Sequence, residues 1–91
     1  MTRNWNELEQ KRQCILYIES KGDGGSAKAE EIVSFLGTGH PNAWRALEKT
    51  RRRNWTHRVP KNRYNKYGTP YYYFLTNEGK IECGKLHNKG Y

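Results

Sequence analysis

Leu8, Ile15 and Ile18, with Cys14 beside them, recur at intervals that place them on one face of a helix. Asn4 or Asn6 can cap that helix, and Glu7 and Glu9 fall in its first turn, where carboxylates complement the helix dipole. The glycine-rich stretch 22–25 ends it near Lys21. A second inner stripe follows at Ala29, Ile32, Val33 and Leu36, with Ser26 as the expected N-cap and Glu30 and Glu31 near the start. Gly37, Thr38, Gly39 and His40 break it, a corner short enough to fold the next helix tightly against this one. Pro41 suits the first position of a third helix spanning 41–53. In that helix Ala43, Leu47 and Thr50 share the inner face with Ala46 at its edge, while Asn42, Arg45, Lys49 and Arg52 point away. Asn54, which tolerates a left-handed backbone, is the expected stop.

The period then changes from helical to extended. Segments 55–59 and 71–75 are rich in aromatic and branched residues and predict two strands. Between them, 60–70 is polar and cationic and holds Gly68, which predicts a hairpin loop. Thr76 or Asn77 can cap a last helix through Glu78, Ile81 and Leu86, after which 87–91 has little to bury and is expected to fray. The predicted order is three helices, strand, basic loop, strand and a short helix, with no internal repeat or linker.

At 91 residues the chain has room for one domain. Hydrophobic residues make up 34% and aromatics 13%, so Tyr and Trp must supply area that Leu, Ile and Val supply elsewhere. No stretch approaches the roughly 20 apolar residues of a membrane span, and the first residues lead into a polar helix, so a cytoplasmic protein is expected. Cys14 and Cys83 stand alone, as buried small hydrophobes in a reducing compartment would. Neither they nor His40, His57 and His87 have the short spacing of a structural zinc site, so no metal is expected.

Charge changes the picture most. Between Arg45 and Lys66 lie nine cations and one acid, Glu48, whereas the rest of the chain carries eight of each sign. Charge confined to 22 consecutive residues builds a directed positive potential suited to a polyanion. Catalysis finds no support: the serines, histidines and acids form no triad or carboxylate pair on these helices, and no glycine-rich phosphate loop precedes one. Neither an enzyme nor a cofactor is expected.

Segments 29–36 (AEEIVSFL), 41–49 (PNAWRALEK) and 71–79 (YYYFLTNEG), in this order of elements, resemble the winged helix-turn-helix superfamily of small transcriptional regulators. The likeness runs from about Glu7 to Leu86 and implies an α+β fold: a three-helix bundle with a helix-turn-helix, a two-stranded hairpin wing and a short C-terminal helix. Thr50 and Asn54 stand where family members usually have Leu and Gly, and Trp55 where a small aliphatic residue is common; Trp55 is expected to fill the space left by Thr50. The resemblance implies binding to double-stranded DNA, with Asn42, Arg45 and Lys49 in the major groove and Arg52 and Arg53 on flanking phosphates. Arg58 and the wing residues Lys61, Arg63 and Lys66 would follow the backbone or enter the minor groove. Tyr64 and Tyr67 either bond phosphates or pack back on the sheet. Trp44 is expected to cover the core edge, and Arg51 to serve an internal pair or the wing.

The same surface suits two other functions, an RNA-binding or ribosome-associated winged helix and a protein-interaction module. Leu8, Leu16, Tyr17, Ile81 and Leu86 are the candidates for self-association, and since the core claims most of them, a monomer or weak homodimer is expected.

Overall fold

A computed structural model of the chain describes residues 5–60 and 71–91. Over these described residues it is an α+β fold of four helices and a small antiparallel sheet, in the order α1 (Glu7–Glu19), β1 (Ser26–Ala27), α2 (Ala29–Leu36), α3 (His40–Arg52), β2 (Thr56–Pro60), β3 (Tyr71–Leu75) and α4 (Asn77–Asn88).

Local chemistry sets the boundaries. The Asn6 side chain accepts from the Glu9 amide, closing the first turn of α1. Gly37 ends α2 in the left-handed region at φ 67°, and its amide bonds back to the Val33 carbonyl. Only residues 37–39 separate α2 from α3, which begins one residue earlier than expected, so Pro41 occupies its second position. Asn54 is left-handed at φ 62°, the stop anticipated from its side chain, and Thr76 caps α4 by accepting from the Gly79 amide.

Ser26 departs from expectation. It does not cap α2 but pairs with Phe74, as Ala27 pairs with Tyr73, so that Ser26–Ala27 adds a third strand beside β3. Two residues are too few to display a strand's alternation, which is why the sequence conceals them. The sheet order is therefore β1-β3-β2, with Thr56 opposite Leu75 and Pro60 opposite Tyr71. The second strand starts one residue later than predicted. At the start of α2 the Glu31 carboxylate accepts from the Lys28 amide at 2.8 Å and pairs with Lys21 at 2.8 Å.

Two clusters share α1 between them. Cys14 and Ile18 pack with Ala27, Ile32, Leu36, Ala43, Ala46, Leu47 and Tyr73, joining α1, α2, α3 and the sheet. Ile15 turns the other way and packs with Cys83 and Leu86 of α4, with Trp55 and Leu75 against them. Trp55 thus serves the second cluster rather than the space beside Thr50. That space is closed by polar pairing: the Thr50 hydroxyl donates to the Leu47 carbonyl and shares a hydrogen bond with the Thr56 hydroxyl at 2.9 Å. Tyr73, fully buried, is the largest side chain of the core.

The chain end is docked, not frayed. His87 Nε2 meets Glu19 at 2.6 Å and its Nδ1 meets the Tyr91 carbonyl at 2.9 Å, while the Tyr91 hydroxyl donates to Glu9 at 2.6 Å. These anchors are polar, so a search for apolar periodicity passes over them.

Candidate nucleic-acid interface

Helix α3 is held by its inner stripe. Ala43, Ala46, Leu47 and Thr50 are all buried, as the helical wheel predicts, and this fixes which side chains face outward. Asn42, Arg45, Arg52 and Arg53 are exposed. Asn42 donates to the Thr38 hydroxyl at 3.1 Å and accepts from Arg45 at 3.4 Å, a small hydrogen-bonded pair on the first turns. Arg53 lies over the Trp55 ring, 5.6 Å from its centroid. No acid among the described residues pairs with Arg45, Arg52 or Arg53.

Lys49 stands differently. It is half-buried and forms an ion pair with Glu7 at the start of α1. Glu7 and Gln10 face Asn42, Arg45, Ala46 and Lys49 across a shallow groove of about 210 Å³. The sequence gives Glu7 only a helix-dipole role, yet the fold brings this carboxylate against the cationic face.

Glu48 is the second acid there and the most consequential. Its side chain is only 8% exposed, covered by three donors. Arg51 approaches through Nε and Nη2, the latter at 2.8 Å, Arg58 through Nη1 at 2.9 Å, and the Tyr73 hydroxyl donates at 2.7 Å. Burial pushes the Glu48 carboxyl up, but Arg51, Tyr73 and Arg58 outweigh it and hold the group below the usual carboxylate range. Burial first and then the Glu48 carboxylate push the Tyr73 phenol well above its ordinary value, with Arg58 opposing them. Arg51 takes an internal pair, one of the two roles expected of it. Arg58, a candidate phosphate contact, spends part of its fork on Glu48 and stacks over Tyr71 at 4.3 Å. The clue lay in the alternation of β2, where Thr56 and Arg58 share the inward face and Glu48 precedes Arg51 by one helical turn.

Trp44 does not cover the core edge. It is 42% exposed and belongs to neither hydrophobic cluster. Lys61, Arg63, Tyr64, Lys66 and Tyr67 lie outside the described residues, as do residues 61–70 of the expected hairpin loop, whose first residue, Pro60, instead ends β2 opposite Tyr71. Of the candidates for self-association, Leu86 is buried and Leu16 and Tyr17 are half-buried, whereas Leu8 and Ile81 are exposed.

Among the described residues no three His, Cys, Asp or Glu side chains gather as a metal set, and no helix is long and apolar enough to cross a membrane. Cys14 and Cys83 are buried free thiols whose pKa burial pushes up to about 12, which keeps them in the unreactive thiol form.

No protein-family model matches the chain, and no curated protein is similar to it. Among solved structures it is similar to the crystal structure of AF1382 from Archaeoglobus fulgidus, with a TM-score of 0.69 and 15% identity over 88% of this chain and 82% of that one. At that identity the likeness concerns the fold alone.

Proposed function

We propose that the chain is a winged helix-turn-helix domain that binds double-stranded DNA, as a small transcriptional regulator does. Helix α3 would enter the major groove, presenting Asn42 and Arg45 to base edges and Arg52 and Arg53 to phosphates, with Lys49 released from Glu7 as DNA arrives. The observation that carries this reading is the outward arc of α3, where Arg45, Arg52 and Arg53 stand exposed with no carboxylate partner among the described residues. A helix about 10–12 Å across fits a major groove of similar width. The short corner between α2 and α3 and the sheet beside them support the same assignment.

The test is fluorescence anisotropy with a labelled DNA duplex and an RNA hairpin, for the native protein and Arg45→Ala/Arg52→Ala. Both substitutions are on the surface, so the variant keeps its fold by circular dichroism. The duplex is expected to bind more tightly than the RNA, and the double variant to lose about tenfold or more of that affinity. Tighter RNA binding would transfer the function to RNA. An unaffected double variant would remove α3 from the interface.

A further inference from the structure

A second feature of α3 lies apart from the arc assigned to the major groove. Trp44, Glu48 and Arg51 follow one another at i, i+4 and i+7 and so form a single stripe along the helix. The indole of Trp44 stands exposed at one end. About 6 Å farther along the axis, Arg51 and Arg58 converge on the two oxygens of the Glu48 carboxylate, at 2.8 and 2.9 Å. One carboxylate between two guanidinium groups leaves a net positive charge. Each arginine keeps fork donors not turned toward Glu48, and the side chains remain 39% and 30% exposed. The Tyr71 ring lies beneath Arg58, its centroid 4.3 Å from the guanidinium carbon, and adds a cation–π contact to the pair with Glu48. Two guanidinium groups held in place can receive a phosphate without first being ordered, and an exposed indole offers a face on which a base can stack.

We propose that this stripe binds an unpaired nucleotide of a strand that leaves the duplex, with its base stacked on Trp44 and adjoining phosphates on Arg51 and Arg58. A base inside a duplex has both faces covered by its neighbours and has none to give Trp44, so the stripe adds affinity only where a duplex ends or opens. The proposal rests on the duplex-binding reading and extends it to DNA with a single-stranded extension. Glu48 is a positioning residue here: buried and neutralised, it repels no phosphate and sets where the two arginines stand.

The experiment compares three probes by anisotropy: a blunt duplex, the same duplex with a short thymidine overhang, and the thymidine strand alone. Trp44→Ala serves as the variant, because an exposed side chain outside both clusters can be removed without unfolding the protein. The overhung duplex is expected to bind about tenfold more tightly than the blunt one. Trp44→Ala should erase that difference while leaving blunt-duplex affinity unchanged, and tryptophan fluorescence should be quenched by the overhang in the native protein alone. Equal binding of blunt and overhung duplexes, or a preference that survives Trp44→Ala, overturns the proposal. Binding of the single strand through Trp44 with no duplex binding would leave the stripe standing and remove the duplex reading. Binding of no probe removes both.

Discussion

The Tyr73 hydroxyl donates to the Glu48 carboxylate at 2.7 Å, joining the central strand of the sheet to the middle of α3. Arg58 reaches the same carboxylate from the neighbouring strand, so the sheet and α3 are locked through one buried acid. Truncating Glu48 would leave two guanidinium groups and a phenol without their acceptor. Glu48→Ala is therefore expected to lower the unfolding free energy by about 3 kcal/mol, and Tyr73→Phe by about 1–2 kcal/mol, as read from urea denaturation. A loss below about 0.5 kcal/mol in Glu48→Ala would show that the pair is replaceable.

The same carboxylate sets an acid limb of stability. Its pKa is below that of the unfolded chain, so its contribution is present above the unfolded value and is lost as pH falls through the lower folded value. The native protein should lose stability toward acid more steeply than Glu48→Gln. Parallel curves from the two proteins would assign the acid sensitivity elsewhere.

Two glycines of α4 should respond in opposite directions. A Cβ on Gly79 would stand 2.0 Å from the Trp55 carbonyl oxygen, a backbone atom that cannot swing aside, whereas one on Gly84 would meet nothing within 4 Å. Gly79→Ala is expected to cost about 2 kcal/mol or more by overpacking. Gly84→Ala should stabilise the helix by about 0.5–1 kcal/mol. Thermal denaturation separates the two, and a Gly79→Ala protein as stable as the native one would refute the close approach of α4 to Trp55.

The docked C-terminus has its own pH dependence. Glu19, with the Tyr91 carbonyl behind it, raises the His87 pKa above the ordinary imidazole value. Docking is then strongest below the unfolded value, near pH 6.5, and weakens as pH rises through the higher folded one. Titration of the His87 ring by NMR should give a raised pKa that falls in Glu19→Gln. An unchanged value in that variant would place the proton's partner elsewhere.

Glu7 sits against the cationic arc through its pair with Lys49. On the duplex-binding reading, Glu7→Gln removes a repulsion and frees Lys49, and affinity at low salt should rise about threefold. Weaker binding would mean that Glu7 holds Lys49 in its working position instead.

How much of this was legible in the sequence depends on the kind of interaction. The apolar stripes of α2 and α3 announced their elements because periodicity reports burial directly, and the run Tyr71–Leu75 announced its strand through aromatic and branched residues. The α1 stripe marked its helix, although Leu8 is exposed and Ile15 faces the second cluster. Asn54 and Thr76 announced their turns through side-chain chemistry. Ser26–Ala27 was hidden because a strand of two residues has no period, and the His87 and Tyr91 anchors were hidden because polar docking follows none. At the candidate site, the outward direction of Arg45 and Arg52 followed from the helical wheel. The arrival of Arg58 and Tyr73 at Glu48, the approach of Glu7 and the exposure of Trp44 depend on how separate elements meet, which composition does not encode.

The central claim is that α3 neutralises DNA phosphates, and the salt dependence of duplex binding tests it most directly. Anisotropy titrations across a series of salt concentrations should give a log-log slope of about −3 or steeper, as expected when Arg45, Lys49, Arg52 and Arg53 displace counterions. A flat dependence, or no binding even at the lowest salt, would contradict the account and leave the cationic arc of α3 to a different partner.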